Sequence, residues 1–320
     1  MAPEVMVLRD QNIKWFEVLG KIGVTAAAHP FDYVKILIQI GHEPLPPYPS
    51  HTLFGKRALA LPGAIRYIKY VSKVDGVWGL YRGLGPRICG NLVNGIIYTT
   101  ISQRLPEFTT VNSSDEAEEE LTEEQKILLH VRHTINEMVA RCVAIVISQP
   151  FQVITVRTMA QFVGREEKYT GIFSSLRELY KEDGILGFFS GLIPRLIGEI
   201  VTLWLASSVT FVINTYLVED KTVRTYIRAS ILYLSTAVAY PFSLVSNVMA
   251  VNNCGLAAGM PPNMPIYASW TDCWSHLKAI SQLKRGSSIL WRYYSGPYII
   301  DEKGRPAYAS RAQFNRPKSS

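Results

Sequence analysis

Pro30-Phe-Asp-Tyr-Val-Lys35, Pro150-Phe-Gln-Val-Ile-Thr155 and Pro241-Phe-Ser-Leu-Val-Ser246 align without a gap, each inside an apolar stretch that gives way to a polar connection. A second motif repeats downstream of the first. Asp75-Gly-Val-Trp-Gly-Leu-Tyr-Arg-Gly83 is matched by Asp183-Gly-Ile-Leu-Gly-Phe-Phe-Ser-Gly191 and more faintly by Arg285-Gly-Ser-Ser-Ile-Leu-Trp-Arg-Tyr293. The first two continue alike, as Leu-Gly-Pro-Arg87 and Leu-Ile-Pro-Arg195. The glycines Gly76, Gly184 and Gly286 recur at intervals of 108 and 102 residues. That period is too long for a solenoid and suits three helical hairpins in a threefold array.

The apolar runs around these motifs set the environment. Ile200–Val218 carries no charge over 19 residues and Ala229–Val251 none over 23, which meets the roughly 20-residue length of a bilayer crossing. Three further runs are interrupted: Ile13–Ile40 by Lys14, Glu17, Lys21, Asp32 and Lys35; Leu84–Leu105 by Arg87, with Arg104 at its end; Met138–Phe162 by Arg141 and Arg157. Charges within a span face a bundle interior or a wet cavity. Pro30, Pro150 and Pro241, preceded by His29, Gln149 and Tyr240, are expected to kink their helices. A hydrophobic fraction of 48% against 18% charged residues agrees with a membrane protein.

The formal net charge of +7 hides an asymmetry, because seven of the 26 acids fall in Asp115–Glu124. The connections after the first, third and fifth runs are basic, with Lys56, Arg57, Arg66, Lys69 and Lys73, then Arg165, Lys168, Arg177 and Lys181, then Lys278, Lys284 and Arg285. A hairpin array puts these three on one face, opposite in sign to the acidic connection. Basic surfaces of this kind meet anionic lipid; without aromatic interleaving in a folded module they do not indicate nucleic acid. Cys89, Cys142, Cys254 and Cys273 have no paired spacing and read as packing residues. His130 and His133 have no third ligand nearby, so no metal is expected. With no GxSxG, Walker loop or HExxH, neither a catalytic residue nor a cofactor is assigned. The first 18 residues, holding Glu4 and Asp10, look like neither a signal peptide nor a presequence, so targeting is expected to be internal.

The pattern Pro-x-Asp/Glu-x-x-Lys/Arg followed by Asp/Glu-Gly and an aromatic-Lys/Arg-Gly resembles the signature of the mitochondrial carriers. A closer resemblance is to the mitochondrial carrier homolog proteins of the outer membrane. It is carried by Val34–Pro47 (VKILIQIGHEPLPP), Glu182–Leu196 (EDGILGFFSGLIPRL) and Leu244–Leu256 (LVSNVMAVNNCGL). The resemblance implies an all-α membrane protein, a carrier-like threefold repeat of helical hairpins forming one domain over residues 1–320. Repeat one covers 1–105, an acidic loop 106–127, repeat two 128–218, an incomplete repeat three 219–293 and a basic polar tail 294–320. It also implies a multi-pass protein of the mitochondrial outer membrane that inserts tail-anchored and other signal-anchored α-helical clients. A link to apoptosis through a pro-apoptotic partner comes with it.

Two departures from the carrier pattern bear on mechanism. Ordinary carriers close a ring of ion pairs with the acid and base of all three proline motifs. Here only Asp32 and Lys35 keep opposite charges, while Gln152, Thr155, Ser243 and Ser246 are neutral, so coupled exchange is expected to be lost or altered. After Tyr293 the remaining 27 residues have neither the length nor the apolarity of a sixth span. A six-helix barrel lacking one stave opens to lipid between its first and fifth helices and shows a polar interior at membrane depth.

The expected groove residues are Asp32, Lys35, Asn91, Gln152, Arg157, Arg195, Glu199, Tyr240 and Asn247. Asp32 and Lys35, three apart, are within reach of an intrahelical pair but read as cavity-facing, because the equivalent positions in the other repeats are polar too. Arg195 and Glu199, four apart, can pair along their helix. The others read individually as helix-packing hydrogen bonders. Four functions fit: an insertase, a receptor or scaffold, a lipid scramblase, or a residual solute carrier.

Overall fold

The computed structural model describes residues 3–51, 55–105, 122–216, 221–294, 296, 298–300 and 306–308. The acidic run and most of the tail lie outside the described residues.

Five long helices carry the apolar runs: α1 (Pro3–Gln39), α3 (Leu84–Arg104), α4 (Glu123–Ala160), α6 (Leu192–Tyr216) and α7 (Lys221–Val251). Within them Glu124–Ala160, Leu192–Ile213 and Thr225–Val251 are long and apolar enough to cross a membrane. α1, α4 and α7 stay helical through Pro30, Pro150 and Pro241. All five begin at or before the apolar runs, because amphipathic turns rich in Lys, Arg and Glu extend the helix into polar surroundings.

Short helices lie in the connections: α2 (Ala64–Gly79), α5 (Ile172–Gly187) and α8 (Trp270–Ala279). Ser269 caps α8 by accepting from the Asp272 amide at 3.2 Å, with His276 and Lys278 in its last turn. In α2 and α5 the helix breaks at Gly76 and Gly184, whose positive φ of 75° and 65° redirects the chain towards α3 and α6. The third equivalent, Gly286, has φ 80°.

The densest core sits at this connection face. Tyr33 and Leu37 of α1, Ile154 and Met159 of α4, and Val251 and Leu256 at the end of α7 converge there. Tyr67 and Val71 of α2 and Leu179 of α5 cover them. Repeat contacts are close: a Cβ added to Gly191 would lie 2.3 Å from the Ser246 carbonyl oxygen, whereas one on the equivalent Gly83 would lie 3.2 Å from that of Thr155. The second and third repeats therefore meet backbone to backbone.

Repeat three departs after α8. Tyr293, which aligns with Gly83 and Gly191, starts no helix. Arg292–Tyr293 instead forms strand β3, which pairs antiparallel with β2 (Arg57–Leu61) in the order β1-β2-β3, where β1 is Tyr48–His51. The register sets Ala60 opposite Tyr293 and Leu61 opposite Arg292. Strands β4 (Tyr298–Ile300) and β5 (Pro306–Tyr308) form a second pair. Among the described residues no helix follows Ala279.

Burial along the helices shows what that leaves open. In α7 only Ile231, Ser235 and Ala239 are buried between Thr225 and Ala239, a single stripe four residues apart that marks one neighbour, α6. In α1 no residue from Val18 to Ala28 is buried. Among the described residues, the two helices that flank the position of a sixth span thus have no partner on that side.

Candidate functional site

A polar cavity of about 290 Å³ lies between α3, α4 and α6. α3 contributes Arg87, Asn91, Asn94 and Tyr98 to its wall, α4 contributes Arg141, Ser148 and Gln152, and α6 contributes Arg195 and Glu199. The helical period explains the selection: Arg87, Asn91, Asn94 and Tyr98 fall three or four apart, as do Arg195 and Glu199, so each set occupies one face.

Three guanidinium groups among apolar helices require compensation, and each has it. Arg87 pairs with Asp32 of α1 at 2.7 Å. Arg141 reaches Glu137 at 3.1 Å and Glu199 at 3.3 Å, and lies 5.3 Å from the Tyr98 ring centre. Arg195 donates to the Gln149 side-chain oxygen at 2.7 Å. Asn94 donates to Ser148 at 3.1 Å. The wall offers donors and acceptors in quantity but no aligned nucleophile and base, and no cluster of metal ligands occurs among the described residues.

The residue before each repeat proline performs one task in all three repeats. His29 hydrogen-bonds the Arg82 carbonyl at 3.0 Å, Gln149 donates to the Ser190 carbonyl at 2.9 Å, and the Tyr240 hydroxyl donates to the Arg285 carbonyl at 2.7 Å. Each ties a long helix to the connection that follows it, satisfying a carbonyl at a bend where no helix supplies a donor.

Beneath the cavity runs a chain of amides. Gln152 donates to Asn247 at 3.4 Å, Asn247 to the Gln39 side chain at 2.7 Å, and Gln39 to the Tyr240 hydroxyl at 2.9 Å. This neutral chain joins the three repeats, and Gln152 is its one member at a motif position that is charged in the carrier pattern. Two arginines cap helix ends beside it. Arg157 donates to the Ala250 carbonyl at 2.9 Å and Arg285 to the Gln39 carbonyl at 2.5 Å, both cations placed at the C-terminal end of a helix dipole.

Of the residues singled out from sequence, Asn91, Gln152, Arg195 and Glu199 line the cavity, and Asp32 reaches it through Arg87. Asn247 and Tyr240 belong to the amide chain below. The intrahelical pairs do not form: Asp32 turns to Arg87, Glu199 to Arg141 and Arg195 to Gln149, while the Lys35 ammonium lies 5.5 Å from the Tyr240 ring centre. Arg157 stands apart and is fully buried at the connection face. It pairs with Asp183 at 2.6 Å and donates to Tyr169 at 3.3 Å, so it is a clamp rather than a groove residue. Tyr169 in turn donates to Glu182 at 2.7 Å, and burial pushes its hydroxyl pKa up. His130 packs on Phe211 with ring centres 4.3 Å apart and shares Ser207 with Thr134. Gln39 escaped the sequence reading; its position nine residues after Pro30, at the end of an apolar run, was the available signal.

The family model of the mitochondrial carrier protein matches residues 18–112 and 130–221, which fall on the first two repeats. Mitochondrial carrier homolog 2 of Homo sapiens is 42% identical over 287 residues, covering 86% of this chain and 93% of that protein. The Bos taurus protein of the same name is 41% identical over 281 residues, with the same coverage. Mitochondrial carrier homolog 1 of Mus musculus is 40% identical over 304 residues, covering 88% of this chain and 76% of that protein.

Proposed function

Because the chain belongs to the mitochondrial carrier homolog family, a branch of the mitochondrial carriers, we propose that it inserts tail-anchored and other α-helical proteins into the mitochondrial outer membrane. The observation that carries the reading is a polar cavity among the long apolar helices, combined with faces of α1 and α7 that no described residue covers. A hydrophilic segment crossing bare hydrocarbon leaves its polar groups unsatisfied, at several kcal/mol each. A route lined by Arg87, Asn91, Asn94, Gln152, Arg195 and Glu199 offers those groups partners along the way, while the helix that follows leaves sideways into lipid. The lining holds three arginines against Glu199, two of them paired to Asp32 and Glu137 outside it, and only Asp32 and Lys35 keep the opposite charges of the ionic ring that alternating access needs.

The test is insertion of a tail-anchored client into liposomes holding the purified protein, scored by protease protection. The parent exceeds empty liposomes, and Glu199→Arg and Lys35→Glu shift the yield severalfold. Glu199→Arg acts by setting a second cation against Arg141. If parent and variants all equal empty liposomes, the reading fails. The cavity is also large enough for a small solute, so saturable uptake without insertion would favour a residual carrier instead.

A further inference from the structure

Where repeats one and two start their second long helix, repeat three sends its chain back to repeat one. The contacts are dense and specific. The Ala64 amide donates to the Ile289 carbonyl at 2.7 Å, and the Tyr294 amide donates to the Leu59 carbonyl at 2.8 Å. Arg292, 8% exposed, donates to the Pro62 carbonyl at 3.1 Å and forms an ion pair with Glu43. Two glycines permit the close approach: a Cβ on Gly63 would lie 2.8 Å from the Leu290 carbonyl oxygen, and one on Gly286 would lie 3.0 Å from the Tyr240 hydroxyl and 3.4 Å from Ile38. Arg285 anchors the other end on the Gln39 carbonyl. Both arginines are held so deep that burial lowers their pKa, that of Arg292 to about 10. A cation desolvated to that degree is retained only where its partners are fixed.

We propose that residues 285–294 form a strap that locks repeat three to repeat one at the connection face, doing there what a sixth helix would do along the whole seam. The seam is then sealed at one end and open along the rest. The gap keeps its width because the strap fixes its base, and the five-helix bundle holds together without a sixth stave. The strap is a property of the fold and stands whether or not the protein inserts clients.

The test uses the full chain in liposomes, with a thiol placed in the seam by Ile38→Cys and native Cys254, 1% exposed at the junction of repeats two and three, as the internal control. Ile38 is fully buried against the strap. Adding Arg292→Glu or Glu43→Arg raises maleimide labelling of the seam thiol at least tenfold and leaves Cys254 protected. Combining Arg292→Glu with Glu43→Arg returns labelling to within twofold of the parent. Unchanged labelling in the single variants overturns the strap. So does a double variant as open as the singles, or parallel exposure of Cys254, which would report general loosening.

Discussion

Removing Asp183 isolates the contribution of the buried clamp between repeats two and three. Arg157 is fully buried, with Asp183 at 2.6 Å and Glu182 at 3.8 Å, and its remaining donors go to Tyr169 and the Ala250 carbonyl. Breaking a buried pair from one side costs about 3–5 kcal/mol, since the surviving charge stays desolvated. Glu182 keeps part of the compensation, so Asp183→Ala is expected to cost about 2–4 kcal/mol. Arg157→Met removes the charge and fills similar volume, leaving mainly the Ala250 carbonyl without its donor, at about 1–3 kcal/mol. The double variant Arg157→Met with Asp183→Ala is then no worse than Asp183→Ala alone. Thermal unfolding in detergent resolves these differences at about 2–4 °C per kcal/mol. Maleimide labelling of Cys254, which abuts the clamp, follows the same order. A loss under 1 kcal/mol for Asp183→Ala, or a double variant clearly less stable than either single, would refute the reasoning, because the charge would then not be the source of the cost.

The repeat glycines give a graded result. Gly191→Ala drives a methyl into the Ser246 carbonyl and should abolish folding or cost at least about 3 kcal/mol, whereas Gly83→Ala, with nearly an ångström more room, should cost about 1–2 kcal/mol; melting temperatures compare them. Acid should loosen the first connection through His42, whose pKa burial lowers from 6.5 to about 4, with its ring edge-on to Phe162 at 5.8 Å. A lowered histidine pKa means stability intact above pH 6.5 and lost as pH falls towards 4, by up to about 3 kcal/mol. Replacing His42 by Gln should flatten that part of the pH–stability curve, and an unchanged slope would show that another group sets it. Gln39→Leu should cost about 1–3 kcal/mol through the Asn247 amide left without its acceptor, read by the same melting assay.

The long-range frame was readable because it rests on residues with few alternatives. A proline within an apolar run and a glycine that must take positive φ leave the same trace in every repeat, so Pro30, Pro150 and Pro241 with Gly76, Gly83, Gly184 and Gly191 reveal the hairpins directly. Polar residues within apolar runs are expected to face inward, and Asn91, Gln152, Arg195 and Glu199 do line the cavity, which leaves their part in a client's route to be tested. Their partners were not readable. Spacing of three or four favours pairs along one helix, yet Asp32, Arg195 and Glu199 choose partners on neighbouring helices, where geometry that spacing does not encode is better. Arg157 misled because burial in lipid and burial in protein select the same surrounding residues; only the acids at 182 and 183, in a different helix, separate the two. The strap was invisible because its strand is two residues long and derives its meaning from a pairing about 230 residues away in sequence.

The five long helices have one further consequence, which follows from their number. If all five long helices cross the bilayer, as the carrier-like repeat leads us to propose, their odd number puts the segment that enters α1 and the segment that leaves α7 in different aqueous compartments, whereas an even count would return them to the same one. A label or binding domain fused ahead of α1 would then report on one side of the membrane and one fused behind the strap on the other, and both reporting on the same side would refute five crossings. With that topology, a protein that grips both the segment ahead of α1 and the strap would itself reach across the bilayer.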